Sequence, residues 1–297
     1  MIKIELHADD LGRSKAINET IFKSIDDGIV RGVSVILGNK DTEEGIKGAL
    51  KRNIRISLHL NLTEGPCLSQ NMSQNIVDEK KNFNKNFLFL LLCRYKKNFK
   101  DIKSEVKNEI EKQIIEFKNI SNLQSVSIDG HNHIHCIPWI ADIIINIAKK
   151  YNIVWVRLPY EKFFFPNIKN FFVKWYYINL LKFFILRILS INLRNKLVNS
   201  NIKFFPNFIG ILETGHMKFS SIKKGLKKIC QNINKIEKNH IEVLIHPGAS
   251  NIDEKKLWNN EKEHFYYLDE NRTNELNLSK NKNLINLINS YENFDHN

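Results

Sequence analysis

Two adjacent carboxylates near the start of the chain, Asp9 and Asp10, are the first residues whose types and spacing suggest chemistry. They follow residues 2–6, in which aliphatic and more polar side chains alternate as in a β-strand. Gly12 comes next and a helix is predicted from Ser14, so the pair lies at the carboxyl end of a strand, where α/β folds place functional groups. Adjacent carboxylates repel each other, and a divalent cation is the usual way to hold both ionised. A helix N-cap is the alternative interpretation.

Histidines stand at the carboxyl ends of three further predicted strands, at positions His59, His131/His133/His135 and His246. In a barrel of parallel strands these ends converge on one face, so residues far apart in sequence meet there. One carboxylate with two imidazoles is a common divalent-metal set that leaves coordination positions open. A lone histidine at a strand end is more often structural, whereas alternate residues of a His-x-His-x-His strand would share a face. Together the four groups favour a metal-dependent hydrolase.

The elements that must position these residues alternate between strand and helix. The predicted strands cover residues 2–6, 32–37, 54–60, 125–129, 153–156, 205–211 and 241–245. The predicted helices cover residues 14–27, 42–51, 86–95, 101–120, 138–150, 220–233 and 273–291. About seven strands separated by helices indicate a parallel sheet, most simply an α/β barrel. No repeat or linker is visible, so residues 1–297 are predicted to form one domain, with a polar tail from about residue 250.

The formal net charge of +13 raises the question of a nucleic-acid partner. Lys, Asn, Ile and Phe are frequent throughout the chain, and no basic run carries interleaved aromatics of the RNA-binding kind, so no nucleic acid is expected. An anionic substrate or membrane surface stays compatible with the charge. The four cysteines, Cys67, Cys93, Cys136 and Cys230, have irregular spacing, which fits a reducing cytoplasm. No signal peptide is visible, and a cytoplasmic location is expected.

Residues 163–193 form an apolar and aromatic stretch that is interrupted by Lys174, Lys182 and Arg187. A transmembrane helix needs about 20 residues with almost no charge, so a span is disfavoured. An interfacial helix with snorkelling basic side chains would allow peripheral membrane contact. The other interpretation is a helical insertion over about 163–200 that packs on the barrel or in a homodimer interface.

Four motifs occur in the order and rough spacing of the YdjC-like carbohydrate deacetylases, which this chain resembles over residues 1–250. They are His-Ala-Asp-Asp-Leu-Gly (7–12), His-Leu-Asn-Leu-Thr-Glu-Gly (59–65), Asp-Gly-His-Asn-His-Ile-His (129–135) and Leu-Ile-His-Pro-Gly (244–248). Each motif is weak alone, but the ordered set is specific. Residues 157–161 and the apolar stretch after them further resemble the branch of that family associated with hopanoid lipid biosynthesis.

The resemblance implies a distorted (β/α) TIM-like barrel and a metal-dependent enzyme that removes the N-acetyl group from acetylated amino sugars. By this resemblance Asp10, His59 and His131 would bind one divalent metal ion, with magnesium expected first and zinc or cobalt as alternatives. Asp9 would be the general base and His246 the general acid. The ion would polarise the acetamide carbonyl and acidify water, and a protonated His246 would release the amine.

Three further residues, His133, Arg157 and His216, are predicted to contact substrate, with a salt bridge as the alternative for Arg157. The sequence departs from the family pattern at His7, Leu11 and Asn132, where Asn, Phe and often His are usual. His7 is expected to support the site or to add a metal ligand. The expected substrate is an oligosaccharide or a lipid-linked sugar. Alternatives are hydrolysis of another C–N or ester bond on the same barrel, or sugar binding without catalysis; intact Asp9 and His246 argue against the latter.

Overall fold

One parallel sheet organises the computed structural model, which describes residues 2–165, 172–231, 240–248 and 269–293. Its strands are β1 (Lys3–Leu11), β2 (Val30–Val35), β3 (Arg55–Leu60), β4 (Val126–Gly130), β5 (Ile153–Val156), β6 (Asn207–Ile209) and β7 (His240–Ile245). The spatial order is β5-β4-β3-β2-β1-β7-β6, and every pair is parallel. β1 therefore lies near the centre, where it is covered on both faces and is buried from Ile4 to Leu11.

The sheet curves back on itself. Two isolated parallel bridges close the sheet: Trp155 of β5 pairs with Lys203, which precedes β6, and Glu161, which follows β5, pairs with Phe208 of β6. The two edge strands, β5 and β6, are thus joined by single bridges rather than by a continuous ladder of hydrogen bonds. This incomplete closure explains the distortion of the barrel. The prediction of an α/β barrel with about seven parallel strands is confirmed.

The helices lie on the outside of the sheet and follow the predicted periodicity. They are α1 (Lys15–Asp26), α2 (Thr42–Lys51), α3 (Phe87–Leu92), α4 (Phe99–Ser121), α5 (Pro138–Tyr151), α6 (Lys174–Asn199), α7 (Phe219–Cys230), α8 (Glu270–Ser279) and α9 (Lys282–Glu292). In α4 the apolar residues at helical spacing are all buried, from Ile102 to Phe117. The helix ends at Asn122, whose φ of 57° is the left-handed conformation that commonly terminates a helix.

β1 continues through the acidic pair, although the sequence suggested that the pair follows the strand. Asp10 has a φ of 72°, and the register of β1 on β2 shifts between Ala8 and Leu11. Consecutive residues of a regular strand point to opposite faces, and an irregularity of this kind re-aims a side chain. The bulge therefore lets Asp9 and Asp10 both reach the end of the sheet where His59 lies.

The histidine run after β4 is not a strand. β4 ends at Gly130, and residues His131–Cys136 form a short helical turn. Asn132 and His133 both have positive φ, at 53° and 56°. The expectation that three alternate histidines share a strand face is therefore wrong, because the chain leaves the extended conformation after Gly130 and turns at Asn132 and His133. Each histidine instead enters a different environment.

The apolar stretch is a long helix, α6, that packs on the barrel through one face; residues 166–171 of the predicted insertion lie outside the described residues. The helix meets the criteria of length and composition for crossing a membrane, but they are weak evidence for a single helix. Polar contacts tie it to the barrel: Asn179 donates to the Thr214 carbonyl at 3.1 Å and Ser190 to the Pro159 carbonyl at 3.1 Å. Its inward face is buried, at Tyr176, Asn179, Phe183, Leu186, Ser190, Leu193 and Leu197.

The polar tail ends in two helices that belong to the core, where one helix over 273–291 was predicted. The backbone N–H of Ile4 in β1 donates to Glu292 at 3.0 Å, and Leu284 and Ile288 are buried. The break between α8 and α9 falls where Asn281 caps the second helix by accepting from the Leu284 N–H at 3.1 Å. Residues 249–268, which begin the predicted tail, lie outside the described residues.

Candidate active site

Three side chains from three strand ends form the centre of the site. His131 Nδ1 lies 3.2 Å and His59 Nε2 3.7 Å from Asp10 Oδ1, and the ligand atoms of the three residues lie within 4.8 Å of one another. All three residues are buried. Asp10 Oδ1 makes no hydrogen bond of good geometry although water cannot reach it. A buried oxygen of this kind, facing two imidazole nitrogens, fits a divalent cation, and the donor set is one that such ions use.

Each imidazole is oriented by a second carboxylate. Asp129 Oδ1 lies 2.6 Å from His59 Nδ1, and Glu64 Oε2 lies 3.2 Å from His131 Nε2. A carboxylate on the outer nitrogen fixes the ring tautomer and directs the other nitrogen towards a metal ion. Neither carboxylate was given a role from the sequence. Both residues lie within the motifs named above: Asp129 directly precedes Gly130, and Glu64 lies five residues after His59. The motifs therefore contained both carboxylates, although their spacing did not indicate a role.

The charges around His131 favour a cation. Burial lowers the pKa of this imidazole, but the Glu64 and Asp10 carboxylates outweigh burial and raise the pKa to about 10. The imidazole therefore holds a second proton that a divalent ion would replace, since ligating histidines are neutral. Burial raises the pKa of Asp10, yet the neighbouring His131, His246 and His59 lower it far below its usual value. The carboxylate is thus ionised and ready to bind a cation.

Asp9 lies beside these three residues and is held by an arginine. Arg157 donates to both Asp9 oxygens, at 2.7 and 2.8 Å, and through Nε to Glu242 at 2.7 Å. Burial would raise the pKa of Asp9, but the charges of Arg157 and His59 hold it well below the ordinary range. Asp9 Oδ2 lies 3.7 Å from His59 Nε2. The carboxylate is therefore ionised at neutral pH and fixed in orientation.

Arg157 was predicted to contact substrate, and its position corrects that prediction. The side chain is fully buried beneath Asp9, with Asp129 at 3.2 Å from its Nη2. A guanidinium without exposed surface cannot touch a bound sugar. The alternative, a salt bridge, is the arrangement found, although in the barrel interior rather than at its rim.

His7 supports this buried network. Its Nε2 lies 2.7 Å from Ser34 Oγ and its Nδ1 lies 3.0 Å from Glu5 Oε1. His7, Asp9 and Asp129 also have the composition of a metal site. The Arg157 guanidinium already contacts both carboxylates of that trio, so the positive charge there is supplied by protein. His7 is thus placed to support the site and not to extend the ligand set around Asp10.

His246 and His133 line the same pocket. His246 follows β7, whose residue Ile245 pairs with Ala8, so the imidazole lies next to the acidic pair. Burial and the charge of Arg272 lower the pKa of His246. The nearby carboxylates of Asp10, Glu275 and Asp9 act in the opposite direction but do not outweigh them. Burial also holds the pKa of His133 well below its usual value, and its buried Nδ1 makes no hydrogen bond. A neutral imidazole with a polar atom to spare suits a substrate hydroxyl or amide.

His216 does not reach this pocket. Its ring stacks on Trp175 of α6, with centroids 4.0 Å apart and planes inclined by 21°. This stacking packs the 210–217 loop against α6, and the substrate contact of His216 stays a prediction. His135 is likewise outside the pocket, buried with Nε2 at 3.1 Å from the Arg157 carbonyl.

The pocket has a volume of about 240 Å³ and is lined by both polar and apolar side chains. Lys182 of α6 reaches its wall, and burial lowers the pKa of that amine while Glu64 acts in the opposite direction. The sequence marked Lys182 only as an interruption of an apolar stretch, because its helix face could not be assigned. The remaining lining residues are Asp9, His59, Glu64, Phe87, Gly130, His131, Asn132, His133, Ile185, Leu186, Ile211, Thr214, Leu244 and His246.

The 210–212 backbone of the pocket wall is held by one buried carboxylate. Glu161 accepts from the N–H groups of Gly210, Ile211 and Leu212 at 2.9, 3.1 and 2.8 Å. Burial raises the pKa of Glu161 to about 7, with the nearby Glu213 adding to burial and the three N–H groups opposing it.

This raised pKa predicts a pH dependence of stability. Because the folded protein holds the Glu161 proton more tightly than the unfolded chain, the contribution of this group to the free energy of unfolding falls as pH rises from about 4.5 to 7. Relative to Glu161→Gln, wild type is expected to lose roughly 3 kcal/mol across that range. Urea unfolding of both proteins at pH 5 and pH 8 measures the difference, and equal changes in the two proteins would contradict the expectation.

Comparisons with known proteins point to one family. A family model described as YdjC-like protein matches residues 3–290. The chain is 30% identical over 154 residues to a carbohydrate deacetylase of Clostridium beijerinckii, with 51% of this chain and 58% of that protein aligned. A carbohydrate deacetylase of Homo sapiens is 26% identical over 163 residues, with 54% and 50% aligned. The alignments thus cover between half and two thirds of those relatives.

A solved structure shares the fold. A protein of Enterococcus faecalis V583 that has been proposed to be a cellobiose-phosphate cleavage protein superposes with a TM-score of 0.67. The superposition covers 98% of this chain and 95% of the other at 18% sequence identity. At this identity the likeness concerns the architecture of the barrel alone.

Proposed function

This chain belongs to the family of YdjC-like proteins, and from that premise we propose that it is a metal-dependent deacetylase of an acetylated amino sugar. The reaction would hydrolyse the N-acetyl group and release acetate and a free amine. The observation that supports this most directly is the cluster of Asp10, His59 and His131, whose two histidines line the pocket together with Asp9. Several relatives are known as carbohydrate deacetylases, which supports a carbohydrate as the substrate class.

Asp10, His59 and His131 would hold the ion, and their supporting carboxylates favour this role. When bound, a divalent cation would supply Lewis acidity, which polarises an amide carbonyl and lowers the pKa of water. Two imidazole nitrogens and one carboxylate suit zinc or cobalt better than magnesium, which prefers oxygen ligands, so the metal expected first from the family resemblance gives way here to zinc or cobalt.

The remaining polar residues have separate tasks. Asp9 is ionised and faces the pocket, so it would take a proton from the attacking water. Because its pKa is low, it is a weak base and would need water whose own pKa the bound cation has lowered. Arg157 would keep both oxygens of that carboxylate in place. The lowered pKa of His246 leaves its imidazole neutral at rest, so it would first receive the proton that the attacking water loses and then pass it to the departing amine, which is otherwise a poor leaving group. His133 would bind the sugar.

Chelation tests the proposal. Purified protein is expected to release acetate from N-acetylglucosamine oligosaccharides or their lipid-linked forms, and removal of metal should abolish the release because the water would lose its activation. Adding back zinc, cobalt or magnesium should restore it, with zinc or cobalt the more effective. Acetate is measured by a coupled assay and bound metal by elemental analysis.

Two outcomes would contradict the proposal. Acetate release that persists after complete metal removal would refute the metal dependence. A stably bound metal without acetate release from any acetylated amino sugar would point instead to hydrolysis of another C–N or ester bond on the same barrel. The cytoplasmic location expected from the sequence stays a prediction, as do the lack of a nucleic-acid partner and the homodimer that was one alternative for the apolar insertion.

A further inference from the structure

The outer face of α6 has a row of exposed apolar side chains between residues 177 and 191. Five residues, spaced alternately four and three apart, are between 49% and 70% exposed. We call this set the α6 stripe. The opposite face of the helix is buried against the barrel, so the stripe faces away from the core. The stripe consists of Tyr177, Leu181, Phe184, Ile188 and Ile191.

A second exposed apolar surface lies on α3 and the turn after it. Leu88, Leu92 and Tyr95 are each about half exposed or more. Both helices also form the wall of the pocket, α3 through Phe87 and α6 through residues 182, 185 and 186. The two apolar surfaces therefore border the same pocket. A patch of this extent on a soluble surface marks a place where another apolar surface binds.

The net charge of the protein is concentrated in the same two parts of the chain. Residues 80–100 and 162–212 contain 15 Lys or Arg and no Asp or Glu. The rest of the chain is close to neutral, with 30 basic and 32 acidic residues. The sequence interpretation of a charge spread by composition alone is therefore incomplete, because the excess charge accompanies the apolar surfaces. Apolar residues among basic ones are typical of segments that lie on anionic bilayers.

A basic and aromatic groove continues this surface beside α6. Arg187 lies over the Tyr160 ring at 4.9 Å, and its position there places a cation next to rings that favour the membrane interface. Such a groove fits an anionic headgroup. Its lining includes Lys162, Arg187 and Lys228 together with Tyr160, Phe163 and Phe184.

Two other arrangements of α6 fit the contacts less well. Packing of two α6 stripes in a dimer would bring basic helices together without one carboxylate on either helix to neutralise them. Insertion of α6 across a bilayer would remove its buried face from the barrel and break the bonds of Asn179 and Ser190. A helix that keeps those contacts lies along a membrane rather than through it.

We propose that the α6 stripe and the exposed residues of α3 dock on an anionic lipid bilayer, and that the pocket takes its acetylated amino sugar from a lipid-anchored substrate. The apolar wall formed by Phe87, Ile185 and Leu186 would cover the part of the lipid that follows the sugar. This inference rests on the proposed deacetylase function for the identity of the reacting group. The docking surface itself depends only on exposure and charge.

Vesicle flotation of the full chain tests the docking. Wild type is expected to float with phosphatidylcholine vesicles that contain phosphatidylglycerol and to remain unbound with phosphatidylcholine alone, with weaker binding at high salt. The double variant Leu181→Ser/Ile188→Ser should bind at least about tenfold more weakly, since it removes two apolar side chains from the interface. The matched control is Ile115→Ser, an exposed isoleucine on α4, which should bind as wild type does.

Two further measurements, the activity on soluble and lipid-anchored substrates and the oligomeric state, distinguish membrane docking from dimerisation through the α6 stripe. Leu181→Ser/Ile188→Ser should keep wild-type activity on a water-soluble acetylated amino sugar and lose at least about tenfold on a lipid-anchored one in anionic vesicles. Equal activity of wild type and variant on the vesicle substrate would overturn the delivery of substrate from the bilayer. Absence of flotation would overturn the docking, and so would a wild-type dimer that the double variant converts to monomer, because a second copy would then cover the stripe. Flotation without acetate release from any substrate would refute the proposed reaction and leave the docking established.

Discussion

Replacement of Asp9 by Asn is expected to lower kcat by about 10²–10⁴-fold and to leave the bound metal in place. An amide of nearly the same shape cannot take a proton from water. The amide keeps one oxygen that accepts from Arg157 and loses the other hydrogen bond, because its NH2 group cannot accept from the guanidinium. The Asp10, His59 and His131 cluster is made without Asp9. Elemental analysis of the purified variant, beside its kcat for acetate release, measures both parts of the expectation.

Asp10→Asn is the matched comparison, since it makes the same chemical change in the adjacent residue. It removes the charge of the carboxylate that lies 3.2 Å from His131 and 3.7 Å from His59, so metal should be lost together with activity. Retention of metal by Asp9→Asn and its loss by Asp10→Asn would establish the division of tasks between the neighbours. Loss of metal from both variants would show that the division is wrong and that Asp9 is itself a ligand.

The sequence predicted the groups of this site better than their geometry. Strand ends could be placed from alternation and motif order, and parallel strands bring their ends together, so the convergence of Asp10, His59 and His131 followed. The bulge at Asp10 was not predictable, because aspartate has no obligatory backbone preference that marks one. The turn through Asn132 and His133 was missed for a related reason. An alternating pattern of histidines resembles a strand, whereas the chain leaves the sheet at Gly130.

Supporting residues were harder to predict than ligands. Glu64 and Asp129 acquire their roles from distances to histidine nitrogens, and a sequence contains no such distances. Arg157 was assigned to substrate because it follows a strand, but the direction of its side chain depends on the closure of the barrel. The sequence also could not show which face of α6 is exposed. Apolar residues surround that helix, so periodicity alone could not tell which of them the barrel would cover.

Replacement of Arg157 by Met is expected to lower the free energy of unfolding by about 3–5 kcal/mol. The guanidinium is the positive centre of a buried network and contacts three carboxylates, those of Asp9, Asp129 and Glu242. Removing one partner of a buried ion pair leaves the other charges without compensation, and methionine adds only apolar packing in return. Urea denaturation at neutral pH measures the loss. Arg157→Lys should lose less, because it keeps the charge and gives up the paired contact with Asp9.

Arg52→Met is the control, since Arg52 makes an equally well-formed pair on the surface, with bonds of 2.7 and 2.6 Å to Asp26. Its loss should not exceed about 1 kcal/mol, because water compensates the freed carboxylate. The penalty of Arg157→Met should also shrink as pH falls. Arg157 lowers the pKa values of Asp9 and Asp129, so without it these carboxylates accept protons at higher pH and lose the charge that made the variant unstable. If Arg157→Met were no less stable than Arg52→Met at neutral pH, the three carboxylates would not be ionised together in the fold, and Asp9 would lack the fixed charge that the proposed reaction requires of it.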